Sequence, residues 1–269
     1  MYLQFFNLTE APFNITPDPR FLFFSRYHQE ALDHVMFGIQ QRKGFIQLTG
    51  EVGSGKTTLC RAVLAKLDST VKTALILNPA LSETQLIRAM LSDFNIEING
   101  RDRLVYFETL NEFLLKQNRE GINVALIIDE AQNLSPQVME QVRLLSNLET
   151  DQHKLIQIVM CGQPELEKRM DRPDLRQLRQ RITVRCNIHP LNEEDTARYI
   201  RHRLKVAGPE THAEFDHGAV REVYRYSKGI PRLINTVCDN ALLAGYVFRS
   251  QHIDARCVTS AIQQLEGKS

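Results

Sequence analysis

The sequence is short of several features that would point directly to a function. Net charge is the first: 33 Lys and Arg stand against 32 Asp and Glu, a formal balance of +1 over 269 residues. Bulk charge therefore supplies no general attraction to nucleic acid or to an anionic membrane, and leaves room only for a local patch. Cysteine is scarce as well. Cys60, Cys161, Cys186, Cys238 and Cys257 are odd in number, far apart and without a CxxC pair. That excludes a disulfide scaffold or an ordinary zinc module and fits a reducing compartment. The first residues lack a basic start followed by an apolar run, so no signal peptide is expected. Long hydrophobic runs are missing too: even LINTVCDNALLAGYVF is interrupted by Asp239, and no membrane span is expected. Repeats and low-complexity tracts are absent. The remainder, 43% hydrophobic and 24% charged, is ordinary for a cytosolic globular chain of one large or two smaller domains.

Short apolar runs alternate with amphipathic segments through the first two-thirds. Gly44–Thr49, Thr73–Asn78, Asn123–Asp129, Leu155–Cys161 and Ile182–Ile188 read as strands, with helical patterns over Thr57–Leu67, Glu83–Phe94, Asp102–Asn118 and Ser135–Leu148 between them. This alternation predicts a five-stranded parallel sheet covered by helices on both faces. After Pro190 only helices are expected, over Glu193–Ala207, Asp216–Ser227, Arg232–Phe248 and Asp254–Leu265. The expected organisation is a Phe- and Pro-rich leader over 1–43 packed on the sheet domain, an α/β domain over 44–190, and a small all-helical domain over 191–269.

Gly50-Glu51-Val52-Gly53-Ser54-Gly55-Lys56-Thr57 matches G-x-x-x-x-G-K-[ST] in full, directly after an apolar strand and directly before a helix. Glycines let the backbone wrap a phosphate, and successive N–H groups with the helix N-terminus attract the anion. Lys56 would reach the β- and γ-phosphates, the Thr57 hydroxyl would hold Mg²⁺, and Thr58 follows on the helix. Asn123–Asp129 is an apolar run ending in an acid, which delivers a carboxylate to the edge where open α/β sheets bind ligands. Asp129 is the expected second Mg²⁺ ligand, and Glu130 the expected base that activates water. Lys56 and Asp129 are 73 residues apart with another strand between them in sequence. That suits the branch of phosphate-loop proteins in which an extra strand separates the two motif strands, and it favours a hydrolase over a small nucleotide kinase.

Further candidates follow downstream. Gln163 lies at the tip of the Leu155–Cys161 strand, suited to positioning water or sensing a γ-phosphate. Arg176, Arg179, Arg181 and Arg185 form an acid-free run, RQLRQRITVR, that reads either as a solvated basic face or as the source of an arginine acting on a neighbour's site. Arg181, then Arg179, is the preferred candidate. In Ser227-Lys228-Gly229-Ile230-Pro231-Arg232, Gly229 suits a C-cap and Pro231 a first helical turn. Arg232 then lies at a helix N-terminus, a poor place for a cation unless it meets an anion.

In this order, GEVGSGKTT, LIIDEAQNL, GQPEL, RQLRQRI and GIPRLIN resemble the AAA+ ATPases. The opening MYLQFFNLTEAPFNITPDPRFLFFSRYHQEAL is similar to that of the ExeA/GspA family of bacterial secretion ATPases, and the likeness spans nearly the whole chain. The resemblance implies ATP/ADP and Mg²⁺ as ligands, Asp129 and Glu130 in Walker B roles, Gln163 as sensor 1 and Arg232 as the sensor 2 arginine. It places the leader near the adenine, with Phe24, Tyr27 and His28 as candidates. It further implies a nucleotide-dependent homo-oligomer and a companion inner-membrane secretion protein. Longer members continue into a transmembrane helix and a periplasmic domain; ending at Ser269, this chain is expected to be the cytoplasmic part of such a protein or a short pilus-biogenesis relative. Two other functions compete. Transposition-type regulators share the Asp-Glu-Ala-Gln run, and the 176–185 arginines with Arg198, Arg201 and Arg203 could form a DNA-binding surface. A nucleotide-gated scaffold with little turnover is the other.

Overall fold

Five apolar runs become the five strands of one parallel sheet, each within two residues of its expected bounds. The computed structural model describes residues 1–15, 18–98, 100 and 102–267. The strands are β1 (Phe45–Gly50), β2 (Val71–Ile76), β3 (Asn123–Ile128), β4 (Gln157–Gly162) and β5 (Ile182–Ile188), in the order β2-β3-β4-β1-β5. Every residue of β1, β3 and β4 is buried, whereas the edge strands β2 and β5 are only partly buried. Three inner strands covered on both faces explain the unbroken apolar runs that mark them in the sequence.

Strand alternation divides the interior. Leu126, Ile128, Ile158 and Met160 point to one core, packed by helices α4 (Glu83–Asp93), α5 (Arg103–Arg119) and α6 (Pro136–Leu145), with the short α7 (Pro164–Met170) and α8 (Arg176–Arg179) at its margin. Ala125, Ile127, Val159 and Cys161 point to the other, packed by α2 (Arg26–Gln40) and by α3 (Lys56–Lys66). Ser135 caps α6 by accepting from the Val138 N–H, with Pro136 at the first helical position.

The strand that separates β1 from β3 in space is β4, not the strand that lies between them in sequence. β2 goes to the outer edge beside β3. Since all five strands are parallel, their carboxyl ends share one edge of the sheet. Gly50 ends β1, Ile128 ends β3 and Gly162 ends β4 at that edge.

The chain forms two compact units. One comprises Gln29–Gly50 and Leu59–Ile188 and holds the sheet. The other comprises Met1–His28, Glu51–Thr58 and His189–Ser269, of which Lys268 and Ser269 lie outside the described residues. The leader, expected as one segment over 1–43 on the sheet domain, is therefore divided. Its aromatic part, with Phe6, Leu8, Phe13 and Phe21 buried, shares a core with Leu191, Tyr199, Ile200, Val223, Ile234 and Leu242, while α2 belongs with the sheet.

The second unit contains α1 (Tyr2–Phe5) and a 3-10 turn over Pro19–Phe21 in the leader, and after Pro190 α9 (Glu193–Ala207), α10 (His217–Ser227), α11 (Pro231–Val247) and α12 (Ala255–Leu265). It is not all-helical. Glu214–Phe215 and His252–Ile253 form a parallel pair of two-residue strands, too short to leave a period in the sequence. The leader is held here by Arg203 on α9, a buried guanidinium that donates to the carbonyls of Pro12 and Asn14 and to the Tyr199 hydroxyl, with the Phe21 ring 4.7 Å from its centre. Asp239, the acid that interrupts the long apolar run, accepts a 2.6 Å hydrogen bond from the Tyr2 hydroxyl.

The turn between α10 and α11 also departs from expectation. Lys228, rather than Gly229, is the left-handed residue that caps α10, with φ 52°. Gly229 is left-handed too, at φ 79°, and a Cβ there would lie 1.8 Å from the Leu191 carbonyl oxygen. Its own carbonyl accepts the Leu191 N–H at 2.9 Å. Gly229→Ala should therefore lower stability by at least about 2 kcal/mol in urea unfolding. An unchanged midpoint would mean that this close approach is not a constraint.

Candidate functional site

The segment after β1 is short and tightly tied. Ser54 N–H and Lys56 Nζ both donate to the Glu51 carbonyl, at 3.0 and 2.9 Å. Gly53 and Gly55 adopt φ of 77° and 100°, conformations that residues with a Cβ rarely take. A Cβ on Gly53 would lie 2.5 Å from the Cβ of Arg232, and one on Gly55 would lie 3.2 Å from Nε2 of His28. α3 begins at Lys56, so the loop carries that helix's first N–H groups, which have no intrahelical acceptors. The Ser54 hydroxyl is buried with no hydrogen-bond partner among the described residues. These features fit a nucleotide phosphate: a helix N-terminus, glycines where the chain is closest, and an unsatisfied buried hydroxyl.

His28 braces the loop. Its Nε2 lies 2.9 Å from the Ser54 carbonyl and its Nδ1 2.7 Å from the Ser25 hydroxyl. A carbonyl can only accept, so Nε2 carries the proton and Nδ1 accepts from Ser25, the neutral imidazole. Burial pushes the His28 pKa below the usual histidine value, while the Ser54 carbonyl pulls it back up. Of the other leader candidates, Tyr27 packs edge-on against the His189 ring at 4.8 Å, and Phe24 is exposed.

Arg232 sits on the first turn of α11, just after Pro231, and its N–H donates to the Gly53 carbonyl at 3.2 Å. No acid lies in that first turn, so the helix N-terminus and an exposed guanidinium combine beside the loop. The loop glycine and Arg232 are thus in direct contact, a pairing that neither motif announces by itself.

The sheet unit holds the carboxylates. Asp129 is buried, continues the β2–β3 ladder through its N–H to the Ile76 carbonyl, and accepts the Glu130 N–H on Oδ1 at 2.9 Å. Glu130 is left-handed, with φ 52° and ψ 36°, at the start of a 3-10 turn over Ala131–Asn133. Strain of this kind in a non-glycine residue concentrates where side-chain direction matters. The Glu130 Oε2 accepts from Gln132 Nε2 at 2.6 Å and from Gln163 Nε2 at 3.1 Å. Gln163 N–H in turn donates to Gln132 Oε1 at 3.1 Å, and Arg169 Nη1 donates to the Gln132 carbonyl at 2.8 Å. Gln163 and Glu130 are thus brought together. Gln132 and Arg169 were not singled out from the sequence; the Asp-Glu-Ala-Gln run was the available signal for the first.

Among the described residues, no three of His, Cys, Asp and Glu gather as metal ligands. Mg²⁺ takes few protein ligands and prefers hard oxygens, a chemistry that the Thr57 hydroxyl and the Asp129 carboxylate each offer within their own unit.

The arginines separate. Arg179 pairs with Asp171 at 2.9 Å, whereas Arg181 lies near enough to Glu149 to help Lys154 hold that carboxyl below its usual range. Arg198 pairs with Glu194 at 2.5 Å, Arg201 donates to the Ala197 carbonyl, and Arg203 is buried under the leader. The last cannot contribute to a nucleic-acid surface.

His28 gives a pH test. Its folded pKa is depressed, so its share of stability is full above the unfolded value of about 6.5 and is lost as pH falls below it. Melting temperature should fall more steeply between pH 7 and pH 5 in the native sequence than in His28→Gln, which keeps a donor for Ser54 without titrating. Parallel slopes would remove His28 from the account.

An AAA domain model matches residues 39–170. General secretion pathway protein A of Aeromonas hydrophila is 44% identical over 268 residues, 99% of this chain and 49% of that protein, so the chain spans about half the length of this curated relative. The Aeropyrum pernix ORC2 protein, solved as ADPNP–ADP complexes, superposes with a TM-score of 0.70 at 16% identity, covering 97% of this chain and 72% of that one. The Thermotoga maritima RuvB Holliday junction branch migration motor gives 0.58 at 17% identity, over 88% and 69% of the two chains. At such identities these two establish the fold alone. The sheet order, the phosphate loop and these matches together identify a P-loop fold of the AAA+ type with an AAA domain over residues 39–170, in a chain similar over nearly its whole length to about half of general secretion pathway protein A.

Proposed function

We propose that this chain binds ATP with Mg²⁺ and hydrolyses it, as the cytoplasmic motor or switch of a bacterial secretion or pilus-assembly apparatus. The observation that carries the hydrolytic reading is Glu130, a carboxylate next to Asp129 whose Oε2 is hydrogen-bonded by two glutamine amides. Lys56 leaves the Glu51 carbonyl for the β- and γ-phosphates, the backbone of Gly50–Thr58 wraps them, and Thr57 and Asp129 hold the cation. When bound, Mg²⁺ neutralises charge on the phosphate oxygens. Glu130 accepts the proton of the attacking water, Gln163 fixes its carboxylate, and Arg232 reads the phosphate from the start of α11.

Arg181 acts in trans on a neighbour's nucleotide in a homo-oligomer that forms with nucleotide bound; Arg179, already paired with Asp171, is the weaker choice. The likeness to general secretion pathway protein A supports a secretion role, and a companion protein in the inner membrane is part of the same proposal. No described helix is long and apolar enough to cross a membrane. A DNA-binding role has less support, because Arg203 is buried and the likeness to ORC2 and RuvB is one of fold.

Glu130→Gln should leave ATP affinity unchanged and lower turnover by about a hundred-fold or more, as befits loss of a general base. Turnover equal to that of the native sequence would take Glu130 out of the chemistry. Arg181→Ala should lose turnover only in the assembled state and regain part of it when mixed with Lys56→Ala protein. Absence of rescue would argue that Arg181 does not act between protomers.

A further inference from the structure

Gln132 is fixed from three sides. Its backbone carbonyl accepts from Arg169, its Oε1 accepts the Gln163 N–H, and its Nε2 donates to Glu130 Oε2 at 2.6 Å. The amide can be oriented in only one way: the Gln163 N–H requires an acceptor, so the oxygen faces β4 and the nitrogen faces the carboxylate. Gly162 makes the space. A Cβ there would lie 2.9 Å from Gln132 Oε1, so a side chain at the end of β4 would push the amide away.

The consequence falls on Glu130. Both amide donors take the same oxygen, Oε2, and among the described residues Oε1 accepts no protein hydrogen bond. A carboxylate in this state has one oxygen anchored and the other open to a water proton. Its backbone is left-handed, so the side chain's direction depends on what holds its end. Gln163 alone holds it at 3.1 Å; Gln132 is the shorter bond and ties Glu130 to the sensor strand's own main chain.

We infer that Gln132 is a positioning residue for hydrolysis: it locks Oε2 of Glu130 and couples that carboxylate to the end of β4, leaving Oε1 to accept the proton of the attacking water. This rests on the ATPase reading above. Any shift of β4's end would be passed through the Gln132 amide to the base.

Gln132→Met keeps the length and loses both hydrogen bonds. Gln132→Glu keeps an acceptor for the Gln163 N–H but turns a repelling carboxylate toward Glu130, and it serves as the second variant if the first does not fold. Steady-state phosphate release and equilibrium binding of a fluorescent ATP analogue would be measured on the native sequence, Glu130→Gln, both Gln132 variants and the Gln132→Met/Glu130→Gln double variant. Gln132→Met should lower kcat about ten-fold, the effect of losing a hydrogen bond to a charged group. KM and analogue affinity should stay within two-fold of the native values, and Gln132→Glu should lose more turnover than Gln132→Met. The double variant should be no slower than Glu130→Gln alone, since a positioning residue has nothing left to position. Native kcat in a folded Gln132 variant, or losses that multiply in the double variant, would overturn the inference while leaving the ATPase reading intact. Turnover absent from the native chain, or unaffected by Glu130→Gln, would overturn both.

Discussion

The sheet depends on the in-register pairing of three fully buried parallel strands, with β4 between β1 and β3. Parallel register puts the end of β1, where the phosphate loop departs, at the same edge as Asp129 and Glu130 after β3 and Gln163 after β4. A slip of one residue in β3 would exchange Leu126 and Ile128 with Ala125 and Ile127 between the two cores, a change the packing on both faces resists. The position of the carboxylates along the sheet is thus fixed by hydrophobic packing, at a distance from any charge.

The second constraint is local and polar. Glu130 would be costly in its left-handed conformation without compensation, and it receives two amide hydrogen bonds and a neighbouring Asp129 that accepts its N–H. His28 does comparable work for the phosphate loop, holding the Ser54 carbonyl from a neutral, buried ring. In both places the element is held by uncharged donors, the glutamine amides at Glu130 and the His28 ring at the Ser54 carbonyl.

Much of this was legible in the sequence, for identifiable reasons. Strands buried on both faces are written as unbroken apolar runs, and the phosphate loop has a spacing that few other structures need. What was not legible depends on contacts between distant residues. The two-residue strands at Glu214 and His252 have no period to detect. The leader's aromatic residues point to a core, but not to the sheet domain expected for them: they join the helices around Arg203, whose acceptors are backbone carbonyls that any sequence would supply. Gln132 looked like one more residue after an acidic pair, and its role follows from the turn that brings it back against Glu130 and Gln163. Lys228 takes a left-handed cap beside a glycine that seemed better suited, since Gly229 is needed where the chain passes Leu191.

The most direct test of the account is phosphate release from ATP by the unaltered chain with Mg²⁺, followed as protein concentration rises. A site completed by a neighbour should give a rate per protomer that increases with concentration and then saturates. ATP binding with no phosphate release at any concentration would contradict the hydrolytic assignment of Glu130 and leave a nucleotide-gated scaffold in its place.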